Sequence, residues 1–140
     1  MSVVGEIRAG LRANIKGAIP NVQVSAYVLS SPTPPGIHIF PGETRYDLAM
    51  NRGLDEYDFT VQAFIAHTGD QGNQSFLDDL ISPAGLRSMK NAIENDLTLG
   101  GVSEDCRVIS NNGYRLLVTG DNRGLITSDW LVTVYVDSSA

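Results

Sequence analysis

The sequence has one cysteine, two histidines and no run of basic residues. Cys106 has no second cysteine with which to form an intrachain disulfide, so we expect a small, buried side chain. The 10 Lys and Arg residues are scattered and outnumbered by 16 Asp and Glu residues, which gives a net charge of −6. A nucleic-acid groove needs clustered Lys and Arg, so this class of binding protein is not expected.

Long apolar runs and processing signals are also missing. No stretch approaches the roughly 18 consecutive apolar residues of a membrane-spanning helix. Residues 1–8 lack the basic start and long apolar run of a secretory signal, so we expect no membrane partner and synthesis in a cytoplasm. The 140 residues, 42% of them hydrophobic, predict a single domain over 1–140 that can bury a real core.

Motifs for common catalytic chemistry are missing as well. The chain contains no glycine-rich dinucleotide or phosphate loop and no Gly-x-Ser-x-Gly. His38 and His67 each lack a second His or Cys at metal-ligand spacing, which favours structural roles. Asp55, Glu56 and Asp58 cluster, but a solvated strand face explains them better than an acid–base pair. We therefore predict no enzyme, cofactor or metal; the alternative is a small enzyme or ligand-binding module using a histidine beside Asp58.

Residues 52–67 carry the clearest secondary-structure pattern in the chain and predict its central strand. Alternation of this kind is typical of a strand with one face against a core. The predicted core side contains Tyr57, Phe59, Val61, Ala63 and Ile65. The opposite side contains Asp58, Thr60, Gln62, Phe64 and Ala66. An acidic, polar sheet face of this type suits the inner wall of a ring that DNA passes through without binding.

Together with this central strand, the other segments predict helix, three strands, two helices and three strands in chain order. The stripe of Val4, Ile7, Leu11, Ile15 and Ala18 predicts the first helix. We expect strands at 22–29 and 37–40, the second ending at Pro41-Gly42, and a loop at 43–51. Helices are predicted at 76–81 and from Ser82-Pro83 to residue 99, and a hairpin at 111–113. This order indicates an α+β fold: a largely antiparallel sheet with an N-terminal helix and two central helices packed on one face.

The chain resembles the tail terminators, the tail-completion proteins of long-tailed bacteriophages, particularly those of phages that infect actinobacteria. The resemblance covers nearly the whole chain. It is carried mainly by segment 52–57, Arg-Gly-Leu-Asp-Glu-Tyr, and by segment 96–101, Asp-Leu-Thr-Leu-Gly-Gly. The segment 18–24, Ala-Ile-Pro-Asn-Val-Gln-Val, and a proline-rich loop after it add to the likeness.

This resemblance implies a structural virion protein without catalytic residues. It implies a homo-oligomeric ring of six copies at the head-proximal end of the tail, assembled in the host bacterial cytoplasm. Such a ring ends polymerisation of the tail tube protein and docks the head–tail connector proteins, with strands facing the lumen and helices outside. The alternatives are another ring of the head–tail joint, such as a head-closure or connector protein, and a tail tube-like protein.

Two sets of residues follow from this interpretation. By position, the loops at 31–36 and 43–51 supply candidate contacts between subunits or rings, together with Arg52, which directly follows the second loop. These candidate contacts are Pro34, Pro35, Tyr46, Leu48, Met50 and Arg52. The candidate lumen-facing residues are Asp58, Thr60 and Gln62.

Overall fold

The computed structural model describes residues 3–19, 23–25, 36–46, 54–66, 71–83, 85, 88–118 and 124–137. Its elements are α1 (Val3–Ala18), β1 (Gln23–Ser25), β2 (Gly36–Arg45), β3 (Leu54–Ala66), α2 (Gln71–Ile81), α3 (Met89–Glu94), β4 (Asp105–Asn111), β5 (Arg115–Val118) and β6 (Gly124–Asp137). The predicted fold class is confirmed: it is α+β, with an N-terminal helix, a mostly antiparallel six-stranded sheet and two short helices packed on it.

The central strand predicted from the alternating pattern is confirmed as β3. The strand order is β1-β2-β3-β6-β4, with β5 also paired to β6. β3 pairs antiparallel with β2 and, along its whole length, with β6. β1 pairs with β2 in parallel, so the sheet is mixed rather than purely antiparallel.

The hydrophobic core lies between the helices and one face of this sheet. Ile7, Leu11 and Ile15 form the buried stripe of α1, as their spacing predicts. The core residues of the two central strands are Tyr57, Phe59, Val61, Ala63, Ile65, Ile126, Trp130, Val132, Val134 and Val136. Because side chains alternate along a strand, the other face of β3 and β6 carries mostly polar groups, together with the buried side chains of Phe64 and Leu125.

β2 is longer than the sequence predicts. Pro41 does not end the strand: the register shifts between Pro41 and Thr44, and pairing with β3 continues to Arg45. A proline lacks the backbone donor, and a bulge is one of the places where a strand tolerates it. The prediction of a loop at 43–51 is therefore wrong for residues 43–45.

The two central helices differ from the predicted bounds. α2 begins at Gln71, five residues before the predicted start at residue 76, and α3 covers only Met89–Glu94 rather than a helix to residue 99. The N-cap of α3 is Ser88, whose hydroxyl accepts from Asn91 N at 3.3 Å, and not Ser82. Gly85, with φ 118, lies in a conformation that no helix continues through.

The hairpin predicted at 111–113 is wrong. β4 and β5 do not pair with each other; both pair antiparallel with β6, one after the other along the same side. Asn112 holds the chain against β6 across the gap, because its backbone N donates to Asp129 O and its Oδ1 accepts from Asp129 N. Gly113, with φ 76, then lets the chain resume as β5. The Asn-Asn-Gly sequence interrupts one long edge strand instead of reversing it.

A compact turn after α3 contains the 96–101 segment. Asp96 accepts hydrogen bonds from Thr98 N at 3.1 Å, Thr98 Oγ1 at 2.7 Å and Gly100 N at 3.0 Å. The turn sets Leu99 at φ 50, with its side chain buried against α1. A Cβ on Gly10 of α1 would lie only 2.7 Å from Leu99 Cβ, so this helix and this turn meet at van der Waals distance.

The Asp96 turn predicts a dependence of stability on pH. Hydrogen bonds from the Thr98 side chain and from the backbone of Gly100 and Thr98 hold the pKa of Asp96 below its ordinary value of 3.8. A carboxylate with a lowered folded-state pKa stabilises the fold fully above its unfolded pKa, and this stabilisation is lost as the pH falls through the lowered value. We expect Asp96→Asn to be less stable than wild type near neutral pH, with the two urea-unfolding stabilities converging as the pH falls below 3.8 and through the lowered pKa. Curves that stay parallel down to acid pH would contradict this role.

Candidate functional site

The sheet face opposite the helices carries the polar side chains of β3. Glu56, Asp58, Thr60 and Gln62 share this face because they alternate with the core residues. Their cross-strand neighbours on β6 are Tyr135, Thr133, Leu131 and Asp129. We call this surface the polar face. The candidate lumen-facing residues Asp58, Thr60 and Gln62 are thus brought together in one row.

One arginine forms ion pairs with three carboxylates at one end of the polar face. Arg45 Nε lies 2.7 Å from Glu56 Oε2, Arg45 Nη2 lies 3.1 Å from Asp58 Oδ2, and Arg45 Nη1 lies 3.2 Å from Glu43 Oε2. Thr133 Oγ1 donates to the other oxygen of Asp58 at 3.0 Å. The hydrogen bond to Glu56 and the nearby charge of Asp58 raise the pKa of Arg45. These contacts tie β2, β3 and β6 together and leave three carboxylates around one guanidinium.

A second set of hydrogen bonds crosses the polar face nearer its other end. Gln62 Nε2 donates to Asp129 Oδ1 at 2.9 Å, and Gln62 Oε1 lies 2.6 Å from His38 Nε2. Since the amide oxygen is the acceptor, this arrangement places a proton on Nε2 of His38. The imidazole is buried and packs edge-on against Phe40 and Phe64. His38 therefore contacts an amide and two rings, the surroundings of a structural histidine.

Metal-ligand groupings and the cysteine are further features on which the sequence makes predictions. Within the described ranges, no three His, Cys, Asp or Glu side chains are grouped so that they could hold a metal ion. Cys106 is buried, as predicted, and burial raises the pKa of its thiol to about 12, which disfavours the reactive thiolate. Glu56 and Asp58 are not the solvated pair that the sequence suggests, because both form ion pairs with Arg45 and their side chains are only 14% and 12% exposed.

The candidate contact residues lie mostly outside the described part of the chain. Tyr46 is described, directly after β2, and its side chain is 69% exposed. Pro34, Pro35, Leu48, Met50 and Arg52 fall outside the described residues, as does His67.

Sequence reasoning missed the residues that connect the polar face. Arg45 is assigned to a loop in the sequence interpretation because Pro41 hides the continuation of β2. Asp129 and Thr133 alternate with Trp130 and Val132, which is a signal that they leave the core. That signal does not say which strand they meet, so the cluster emerges only when β2, β3 and β6 are aligned.

No known protein family model matches the sequence, and no curated protein is significantly similar to it. Among the helices of the described residues, none has the length and apolar character needed to cross a membrane.

Proposed function

We propose that this chain is a structural virion protein, a tail terminator that forms a ring of six copies at the head-proximal end of a bacteriophage tail. The ring ends polymerisation of the tail tube and gives the head connector a surface to dock on. The observation that carries the proposal is the two-faced sheet. Helices cover one side, and the other side is an acidic polar face whose side chains are joined by hydrogen bonds and ion pairs. The sequence resemblance stated above supplies the class of particle.

The charge of the polar face suits a wall past which DNA slides. Three carboxylates around Arg45 leave an excess of negative charge, and Asp129 adds another at the Gln62 end. Like charge repels the phosphate backbone, so a lumen of this kind would not retain the DNA. The hydrogen bonds that hold Asp58 and Gln62 in place also keep these side chains from reaching into a channel.

Locating the protein within particles tests this proposal directly. A peptide tag on the chain, detected by gold-labelled antibody in electron micrographs of whole particles, is expected to mark one position between head and tail tube. Label along the whole tube would favour a tube-like protein, and label on the head side of an intact neck would favour a head-closure or connector ring. Particles that lack the protein altogether would refute a structural role in the virion.

A single substitution tests the proposed contact role of Tyr46. Because its side chain is 69% exposed, Tyr46→Ser is expected to change the free energy of unfolding by no more than about 0.5 kcal/mol. The same variant is expected to lower the fraction of tails joined to heads, counted by negative-stain microscopy. Tyr46→Phe keeps the ring and serves as the matched control, with joining retained. Normal joining with serine at this position would exclude the contact.

A further inference from the structure

β4 lies at the edge of the sheet, and carboxylates accept hydrogen bonds from two of its backbone N–H groups. In an edge strand every second backbone N–H points away from the sheet and is open to pairing with another chain. Here Cys106 N donates to Asp105 Oδ1 at 2.9 Å, and Val108 N donates to Glu94 Oε2 at 2.9 Å. The second contact joins residues 14 positions apart in the chain, so the placement of α3 creates it.

Glu94 is held in this position by a neighbour on its own helix. Lys90 Nζ donates to both carboxylate oxygens, at 3.0 Å and 2.8 Å, one turn earlier on α3. Beside this pair an open groove of about 470 Å³ runs between α3 and β4. Past Val108 the register shifts, and Ile109 in the shift is 56% exposed. The edge therefore has free space and exposed apolar surface next to it, but its N–H at Val108 is occupied.

We propose that Glu94 blocks the edge of the sheet. Its carboxylate accepts a hydrogen bond from the Val108 N–H and so prevents β4 from pairing with β4 of a second copy of this chain. Glu94 thus acts as an autoinhibitory contact built into α3. A carboxylate acceptor also places a negative charge at the edge, a device that disfavours strand addition. This inference concerns the edge of the sheet and goes beyond the ring position proposed above.

The charges of β4 identify a second copy as the occupant of an opened edge. An antiparallel pair of identical strands related by a twofold axis places residues symmetrically about its centre. With Cys106 at that centre, Asp105 of each copy lies opposite Arg107 of the other. Asp105 then leaves the Cys106 N–H for this arginine, and the freed N–H pairs with the second copy. Arg107 and Asp105 already attract each other within one chain, with Nε and Oδ2 at 3.1 Å, and both are partly exposed. Opposite charges directly across two strands stabilise their pairing, whereas like charges destabilise it.

Removing the Glu94 carboxylate tests this inference by its effect on the oligomeric state. We expect Glu94→Ala to show a doubling of sedimenting mass relative to wild type at equal concentration, and Glu94→Gln, which keeps an acceptor for Val108 N, to match wild type. Adding Arg107→Glu to Glu94→Ala should abolish the extra association, because a carboxylate then faces Asp105. Adding Arg115→Glu, an exposed arginine on β5 outside the paired stretch, is the matched control and should leave the association intact.

Several results would overturn the proposal. Glu94→Ala with the wild-type mass and native circular dichroism would show that the carboxylate does not prevent pairing of β4 with a second copy. Association that persists with Arg107→Glu would place the contact elsewhere than β4. If the alanine variant does not fold, Glu94→Asp decides the question, because it keeps the charge but withdraws the carboxylate from Val108 by one methylene. An unchanged mass for the aspartate variant would exclude the proposed blocking role of Glu94.

Discussion

Phe59→Ala is expected to lower the free energy of unfolding by about 3–5 kcal/mol, through lost apolar burial and the cavity that remains. Phe59 is fully buried on the core face of β3 and pairs with Val132 across the sheet. Because the free energy of unfolding of such domains is only about 5–15 kcal/mol, this single change removes a large part of the total stability. Urea unfolding followed by tryptophan fluorescence measures it, since Trp130 lies in the same core.

Phe40→Ala is the matched control for this prediction. Phe40 is the same residue type on the neighbouring strand, but it is only partly buried and lies on the polar face against His38. We expect its truncation to cost less than half as much as that of Phe59. Equal losses would mean that both faces of the sheet contribute equally to the core, which would remove the two-faced sheet on which the proposed function depends.

Gly10→Ala is expected to destabilise the fold by about 1–3 kcal/mol, the usual cost of inserting a methyl group into a filled space. The new Cβ would lie 2.7 Å from Leu99 Cβ and 2.9 Å from Leu99 O, and neither atom is at the end of a flexible side chain. Leu99 cannot easily move aside, because the hydrogen bonds of Asp96 hold its turn. Asn14 fixes the same junction, with Nδ2 donating to Ile93 O and Asp96 O, both at 3.0 Å.

Gly17→Ala separates this steric effect from helix propensity. Gly17 lies on the same helix with nothing within 4 Å of the added Cβ. Alanine favours a helix over glycine, so Gly17→Ala is expected to stabilise by about 0.5–1 kcal/mol. Thermal unfolding of both variants should therefore shift in opposite directions. A stabilising Gly10→Ala would show that α1 does not meet the Leu99 turn at the distance described.

The elements that the sequence predicts correctly are those with a long, regular pattern. The stripe of α1 and the alternation along β3 and β6 repeat over ten or more residues, so hydrophobicity alone fixes which side is buried. The errors fall where a short local signal competes with long-range contacts. Pro41 is typical of a strand end, but a bulge accommodates it. The 82–99 region has helical spacing, but among its described residues Gly85 and the Asp96 turn limit the helix to Met89–Glu94.

The candidate site shows the same division. The sequence predicts that Asp58, Thr60 and Gln62 share one face, because that follows from alternation along a single strand. It does not predict that Arg45 joins Asp58 to Glu56, or that Glu94 reaches Val108, since these contacts connect residues on different elements. Each depends on which strands and helices become neighbours, and no periodicity along the chain encodes that choice.

The sequence by itself determined the α+β class, the central strand and the residue types on each of its faces, because these depend on neighbours two to four positions apart. Only the tertiary structure decided that residues 105–118 form one interrupted edge of the sheet instead of a hairpin. The Asn111-Asn112-Gly113 segment is compatible with either outcome as an isolated peptide. The long strand β6 settles the matter, because its backbone groups bind β4 and β5 in succession and satisfy both.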